Sequence, residues 1–392
     1  MNSSQRNSQK NTLDLILSFL QVSLLQAGDS LTPSQEEQLF NLSLGETQKW
    51  QALGFTPKIL AEFIPEQASF FLTYYPEFVT FWQKHLGLYQ DPKQEFPLAE
   101  ELSRDPIQSV MQHNLWHFWL PFAWKLKQHR DQQGRLWIQG IVGLQGTGKT
   151  TLTAILTWIL DKWGYRCISF SLDDLYLPYA DRLKLREEQP HLIWRGPPGT
   201  HDINLGLRVF EELQSQQEKT QLFWIPRFDK SLQNGAGDRG IPEPVECPVD
   251  ILLFEGWFVG LYPLNECNIL LPNPVPLSPF TQYCNEQLSQ YIPLWEWLDN
   301  LLVLYLPNVN YSKEWRKGAE QKMRNQGQAA MTDETIDRFV AYFWEALPPD
   351  LFLNPVIQTP DPGTTRTIVA EIQNDRSIGA IFPAGAMPRC QG

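Results

Sequence analysis

Residues 143–150 read Gly-Leu-Gln-Gly-Thr-Gly-Lys-Thr. The apolar run Leu136–Val142 precedes them, and a helix-length stretch, Thr151–Trp163, follows. Glycines let the backbone turn tightly enough for its N–H groups to converge inward. A helix starting just beyond adds its positive end. That combination makes a phosphate cradle, and it commits this part of the chain to a strand–loop–helix unit. The nucleotide-binding candidates are Gly143, Gln145, Gly146, Thr147, Gly148, Lys149, Thr150 and Thr151. Lys149 supplies a mobile point charge for the terminal phosphates, and the Thr150 hydroxyl suits Mg²⁺.

The surroundings agree with such a unit. Cys167–Leu172, Leu222–Ile225, Ile251–Phe254 and Leu301–Leu306 read as further short buried strands, and Arg366–Ile372 as a last one. Helical stretches near Ile203–Gln214 and Gln282–Asn300 alternate with them. The expected class is α/β, a parallel sheet covered by helices on both faces. Residues 1–130 read differently, as helical stripes beginning at Leu13, Ser34, Pro57, Pro65 and Leu98. The expected division is a helical region over 1–130 and a phosphate-loop domain over 131–392, with a polar boundary at Gln128–Gly134. The proline-rich Leu271–Pro279 reads as an ordered loop.

Bulk properties narrow the function. The formal net charge of −12 argues against a nucleic-acid groove. Five scattered cysteines without CxxC pairing argue against a disulfide framework or zinc site, and for a reducing, cytoplasmic setting. No apolar run is long enough to span a bilayer, and Leu13–Ala27 reads as an amphipathic helix rather than a leader. His113 and His117 share a helix face at HExxH spacing, but Asn114 stands where the glutamate would be, so the pair reads as structural.

A phosphate loop alone does not distinguish a kinase from a switch. Ser171-Leu172-Asp173-Asp174-Leu175-Tyr176 closes the second strand, at the end that lines a doubly wound crevice. A carboxylate there can take the proton of an attacking hydroxyl or hold metal. Asp173 is the candidate base and Asp174 a candidate metal ligand. Glu255 follows the strand Ile251–Phe254 and is the second metal candidate, with Thr150. The loops Arg195–Asp202 and Pro226–Arg239 are rich in glycine and arginine, as an anionic acceptor requires; Asp202 also suits the cap of the helix from Ile203. A late helix carries Arg316, Lys317, Lys322 and Arg324. It reads equally as a solvated face or as a lid, with Arg316 as the catalytic candidate.

The stretches GLQGTGKTT, SLDDLY and FEGW together resemble the P-loop kinases that include phosphoribulokinase, uridine kinase and pantothenate kinase. The segments RGPPGTHD, PRFDKS and GDR are most similar to D-glycerate 3-kinases of the plant and cyanobacterial type. The resemblance covers roughly Leu136–Leu347. It implies ATP and Mg²⁺, transfer to the 3-hydroxyl of D-glycerate, and a place in photorespiratory salvage. It also implies Asp173 as base, Glu255 near the metal, and Tyr176, Arg195, His201, Arg227 and Arg239 near the acceptor. Uridine, pantothenate or a sugar phosphate stay open as acceptors, as does a regulatory ATPase. No NKxD motif supports a GTPase.

Overall fold

In the computed structural model the described residues are 37–41, 47–85, 106–216, 222–264, 276–325, 331–359 and 366–387. The expected stripe at Leu13, the starts of those at Ser34 and Leu98, and most of the proline-rich loop lie outside them. The chain divides into two compact units, Met1–Lys125 with Asp375–Phe382, and Leu126–Asn374 with Pro383–Gly392.

The first unit is helical. Its elements are α1 (Thr47–Ala52), α2 (Pro57–His85), α3 (Pro106–Asn114) and the start of α4 (Leu120–Gln133), with a π-turn at Leu115–Trp119. One face of α2 buries Leu60, Phe63, Ile64, Gln67 and Phe71. Aromatic rings fill this core: Trp124 lies 5.4 Å from Phe55 and 5.1 Å from Phe63, and Phe71 lies 5.7 Å from Trp116. Gln67 on that face donates Nε2 to Trp116 O at 2.5 Å. Asn114 works as a clamp. Its Nδ2 donates to Arg376 O at 3.0 Å, and its Oδ1 accepts from Ile378 N at 2.7 Å. His113 Nε2 lies 3.2 Å from Ile378 O. The His113-Asn114 step therefore holds backbone.

The second unit is built on parallel strands. In chain order its strands are β1 (Trp137–Gly143), β2 (Cys167–Ser171), β3 (Leu222–Ile225), β4 (Phe228–Asp229), β5 (Asp238–Arg239), β6 (Glu243–Glu246), β7 (Ile251–Gly256), β8 (Asn300–Tyr305) and β9 (Arg366–Ile372); β10 (Ile378–Pro383) falls, but for its last residue, in the first unit. Five run parallel in the order β9-β8-β1-β7-β2. β1 and β7 are buried along their whole length, as a sheet covered on both faces requires. The helices after them are α5 (Lys149–Lys162), α6 (Tyr179–Glu188), α7 (Ile203–Ser215), α8 (Pro279–Leu288), α9 (Asn310–Asn325), α10 (Asp333–Ala346) and α11 (Pro349–Gln358). Asp202 caps α7 by accepting from Leu205 N at 2.9 Å, and Thr332 caps α10 by accepting from Thr335 N at 3.3 Å.

Leu222–Ile225 is a strand, but it does not join the parallel sheet. β3 pairs antiparallel with β6 as a separate ribbon. Leu222 and Trp224 are 59% and 56% exposed. A four-residue apolar run carries no record of which sheet it enters, because pairing is decided by a distant partner. Gln282–Asn300 also divides, into α8, a short 3₁₀ turn, the helical turn Ile292–Trp295 and the start of β8. No described helix is long and apolar enough to cross a membrane.

Candidate active site

Register brings the candidate residues to one edge. In the pairing, Glu255 on β7 stands between Ile141 on β1 and Ser171 on β2. Gly143, the last residue of β1, pairs with Leu304 on β8. The loop after β1 and the turn after β2 thus leave the same carboxyl end of the sheet.

The loop is shaped by its backbone. A side chain at Gly143 would place Cβ 2.8 Å from Thr147 Oγ1 and 3.0 Å from Leu304 Cβ. Gly148 has φ of +86°, a left-handed conformation that favours glycine, and the chain enters α5 from it. Thr147 is buried, its Oγ1 donating to Leu144 O at 2.8 Å, which ties the loop to itself. Lys149 Nζ donates to Gly143 O at 2.8 Å and Leu144 O at 3.2 Å, so its ammonium lies across the mouth of the loop. Burial lowers its pKa, while Glu255 and Asp173 oppose that shift. Gln145 O accepts from Ser312 Oγ at 2.6 Å, which fastens the start of α9 to the loop. Thr151 follows in the first turn of α5.

Thr150 Oγ1 donates to Glu255 Oε1 at 3.1 Å. A hydroxyl and a carboxylate side by side at a helix start make a hard-oxygen donor pair, which fits Mg²⁺ bound largely through water and phosphate. Burial raises the Glu255 pKa, and Lys149 pulls it back.

Asp173 and Asp174 differ. A 3₁₀ turn, Leu172–Leu175, follows β2, and Ser171 Oγ accepts from Asp173 N at 3.2 Å. Asp174 Oδ2 accepts from Ser171 N at 3.1 Å and Arg227 Nη1 at 2.9 Å, and its Oδ1 accepts from Phe228 N at 3.0 Å. It was expected as a metal ligand; both its oxygens instead brace the turn against β4. Asp173 faces the other way. Its Oδ1 accepts from Tyr176 Oη at 2.8 Å, and its Oδ2 lies 2.7 Å from Lys230 Nζ. Burial pushes the Asp173 pKa up, but the charge and hydrogen bond of Lys230, with the Tyr176 hydroxyl, outweigh it and hold the carboxyl below its usual range.

The acceptor-side candidates also separate. Arg227 is spent on Asp174 and Glu243, at 2.9 and 2.7 Å. Arg239 pairs with Asp202 at 2.7 Å. Both read from sequence as substrate forks, and both are neutralised by carboxylates of distant segments. Arg195 donates to the carbonyls of Gly235 and Ala236 at 3.0 and 2.9 Å. His201 is buried, stacks on Tyr176 at 4.6 Å, and has Nδ1 2.7 Å from Tyr291 Oη. Burial lowers its pKa to about 3, so it is a neutral ring at physiological pH. Arg316 pairs with Glu320 one turn on, at 2.7 Å, and lies over Phe339. Its charge is thereby engaged within α9 and α10 rather than directed at the loop. Lys317 and Arg324 pair with Asp337 and Asp333. The side chain of Lys322 lies outside the described residues.

Lys230 is the residue that sequence reasoning missed. It sits in the PRFDKS run, and its ion pair with Asp173 spans 57 positions of chain. Only its place beside Arg227 in a glycine- and charge-rich loop hinted at it.

No protein-family model matches the chain. A D-glycerate 3-kinase of Arabidopsis thaliana, chloroplastic by its name, is 30% identical over 286 residues, 67% of this chain. That match spans 60% of the length of the plant protein. A probable ATP-dependent kinase of Saccharomyces cerevisiae, TDA10, is 30% identical over 249 residues, 60% of this chain and 84% of the yeast protein. The chain belongs to the glycerate 3-kinase-like family of P-loop kinases. The solved structure of D-glycerate 3-kinase from Cryptococcus neoformans is 28% identical, with a TM-score of 0.58 over 66% of this chain and 94% of that one.

Proposed function

We propose that the protein transfers the γ-phosphate of ATP to the 3-hydroxyl of D-glycerate, giving 3-phosphoglycerate, in cytoplasmic, photorespiratory salvage of glycerate. The observation that carries this reading is the convergence of Lys149 and Asp173. One belongs to the phosphate cradle after β1 and the other to the turn after β2, across β7 from it, and the Asp173 charge acts on the Lys149 ammonium. A cradle for a switch needs the lysine but not an ionised carboxylate aimed beside it.

The proposed chemistry is mostly positioning and charge. Backbone N–H groups of 143–150 and Lys149 Nζ hold the terminal phosphates. Asp173 Oδ2 accepts the proton of the attacking hydroxyl, which requires Lys230 to give up or share that oxygen. Tyr176 holds the other oxygen and so fixes the carboxylate plane. Thr150 and Glu255 would hold Mg²⁺, which when bound neutralises charge on the phosphate oxygens. The names of the plant and fungal relatives support glycerate as the acceptor.

An ADP-release assay with D-glycerate, L-glycerate, uridine and pantothenate side by side tests the reading. D-Glycerate should give the highest kcat/KM; a preference for uridine would overturn it, and so would ATP hydrolysis that no acceptor stimulates.

A further inference from the structure

A cavity of about 390 Å³ in the second unit is lined by three arginines, Arg182 and Arg186 of α6 and Arg195 of the loop beyond it. No aspartate or glutamate lines it. That is unusual in a chain whose formal net charge is −12. The cavity is within the size range of small-molecule sites.

Two of these arginines are held together by shared neutral partners. Arg182 Nε donates to Leu177 O at 3.0 Å and Nη1 to Ala236 O at 3.0 Å, while Nη2 donates to Gly237 O. Arg195 Nη1 donates to the same Ala236 oxygen at 2.9 Å. Both guanidinium groups lie 5.4 Å from the centre of one ring, Phe228. Two cations therefore share one carbonyl oxygen and one aromatic ring, and neither forms an ion pair among the described residues. Arg227 and Arg239, by contrast, each have a carboxylate within 3 Å. Burial lowers the Arg182 pKa and the neighbouring Arg195 lowers it further, with Asp238 opposing them in part. A site with two guanidinium groups side by side and no ion pair of their own is stabilised by an anion. Arginine's planar fork suits a carboxylate in particular.

The arginine pair also lies near the hydrogen-bond partner of Asp173. Phe228, the ring under both guanidinium groups, lies 4.9 Å from the ring of Tyr176, whose hydroxyl donates to Asp173. Thr200 lines the cavity, and its carbonyl accepts from Leu177 N at 3.0 Å, beside the bridge from Tyr176 to His201.

We propose that Arg195 and Arg182 form the site that selects the acceptor by its carboxylate, so that the enzyme takes small hydroxy acids and rejects neutral alcohols of the same shape. The proposal rests on the kinase reading above and adds Arg182, a helix residue outside the loops singled out by sequence. Binding places the acid group on the two guanidinium groups and leaves the hydroxyl end toward Asp173. Arg182 also props residues 236–237, so Arg195 is the cleaner position to change.

The test compares acids with their neutral counterparts, D-glycerate against glycerol and pantothenate against pantothenol, in wild type, Arg195→Gln, Arg195→Lys and Arg182→Gln. Thermal melts check folding of each. Wild type should prefer the acid. Arg195→Gln should raise the KM of the preferred acid roughly tenfold to a hundredfold, about the worth of a charged hydrogen bond. It should reduce the acid-over-alcohol preference by the same factor and leave the KM for ATP within about twofold. Arg195→Lys should recover part of the preference. If charge discrimination survives in Arg195→Gln and Arg182→Gln, or if wild type prefers the neutral alcohol, the cavity is not the selecting site. If the preferred acid is pantothenate and its preference falls in Arg195→Gln, the cavity stands and glycerate as the substrate does not.

Discussion

The loop over 143–150 and the acceptor side over 171–202 and 226–240 meet at one edge of the sheet, yet they are held differently. The loop is set by backbone: a left-handed glycine at 148, a position at 143 with no room for a side chain, and a threonine tied to its own loop. Its parts lie within eight consecutive residues. The acceptor side is set by side chains from far apart in the chain. Asp174 reaches Arg227, Asp173 reaches Lys230, and Asp202 reaches Arg239. A contiguous loop tolerates little change of shape but needs no partner. A network of ion pairs can be retuned one charge at a time.

That contrast can be attacked by substitution. Lys149→Ala should lower kcat by about 10³-fold, the order seen when a preorganised charge stabiliser is lost. The melting curve should stay near wild type, because Lys149 bonds only to carbonyls of its own loop. Asp173→Asn should lower kcat by about 10²-fold or more with the KM for ATP little changed. An effect confined to ATP binding would move Asp173 from the acceptor side to the metal.

Arg227→Met tests whether the acceptor side is architecture. It leaves Asp174 with no counter-charge, at a site where the pair is mostly buried. Denaturant unfolding at neutral pH should show a loss of about 2–3 kcal/mol, somewhat below the value for a fully buried pair because Arg227 is 26% exposed. A loss under 0.5 kcal/mol would mean that the brace is dispensable.

Lys230→Gln should act through pH. Lys230 helps hold the Asp173 pKa below the ordinary carboxylate value, so the base is ionised further into acid than a free carboxylate. Without Lys230 that pKa rises, and the acidic limb of kcat/KM should move to higher pH. The same linkage applies to folding. A lowered carboxylate pKa gives stability that is present above the unfolded-state pKa and lost as pH falls through the folded one. The stability gap between wild type and Lys230→Gln should therefore close in acid. An unchanged acidic limb would show that Lys230 does not touch the base in solution. Arg239→Gln is the smallest change. Its pair with Asp202 is exposed, so unfolding should shift by about 0.5 kcal/mol or less and the KM for D-glycerate should hold.

The same contrast explains what could be read from sequence. The strands β1, β2, β7 and β8, the phosphate loop, the Asp202 cap and the position of Glu255 were legible because each depends on a few neighbouring residues. The pairing of Leu222–Ile225 with Glu243–Glu246 was not, since a short apolar run fits either a buried parallel strand or one arm of a ribbon. Nor was the division of labour between Asp173 and Asp174. The sequence shows two adjacent carboxylates at a strand end, whereas their roles are decided by Lys230 and Arg227, more than 50 positions later. For the same reason Arg227 and Arg239 read as open cations, since their carboxylates come from distant segments, whereas the Glu320 that pairs with Arg316 stands one turn along its own helix.

The Asn114 clamp on residues 376–378 bears on biosynthesis. The first unit is assembled from Met1–Lys125 and Asp375–Phe382, so it stays unfinished until residues 375–382 have been translated. Everything needed for the parallel strands has emerged before then. The helices of the first unit are thus translated well before the backbone that Asn114 holds, with the five parallel strands made in between.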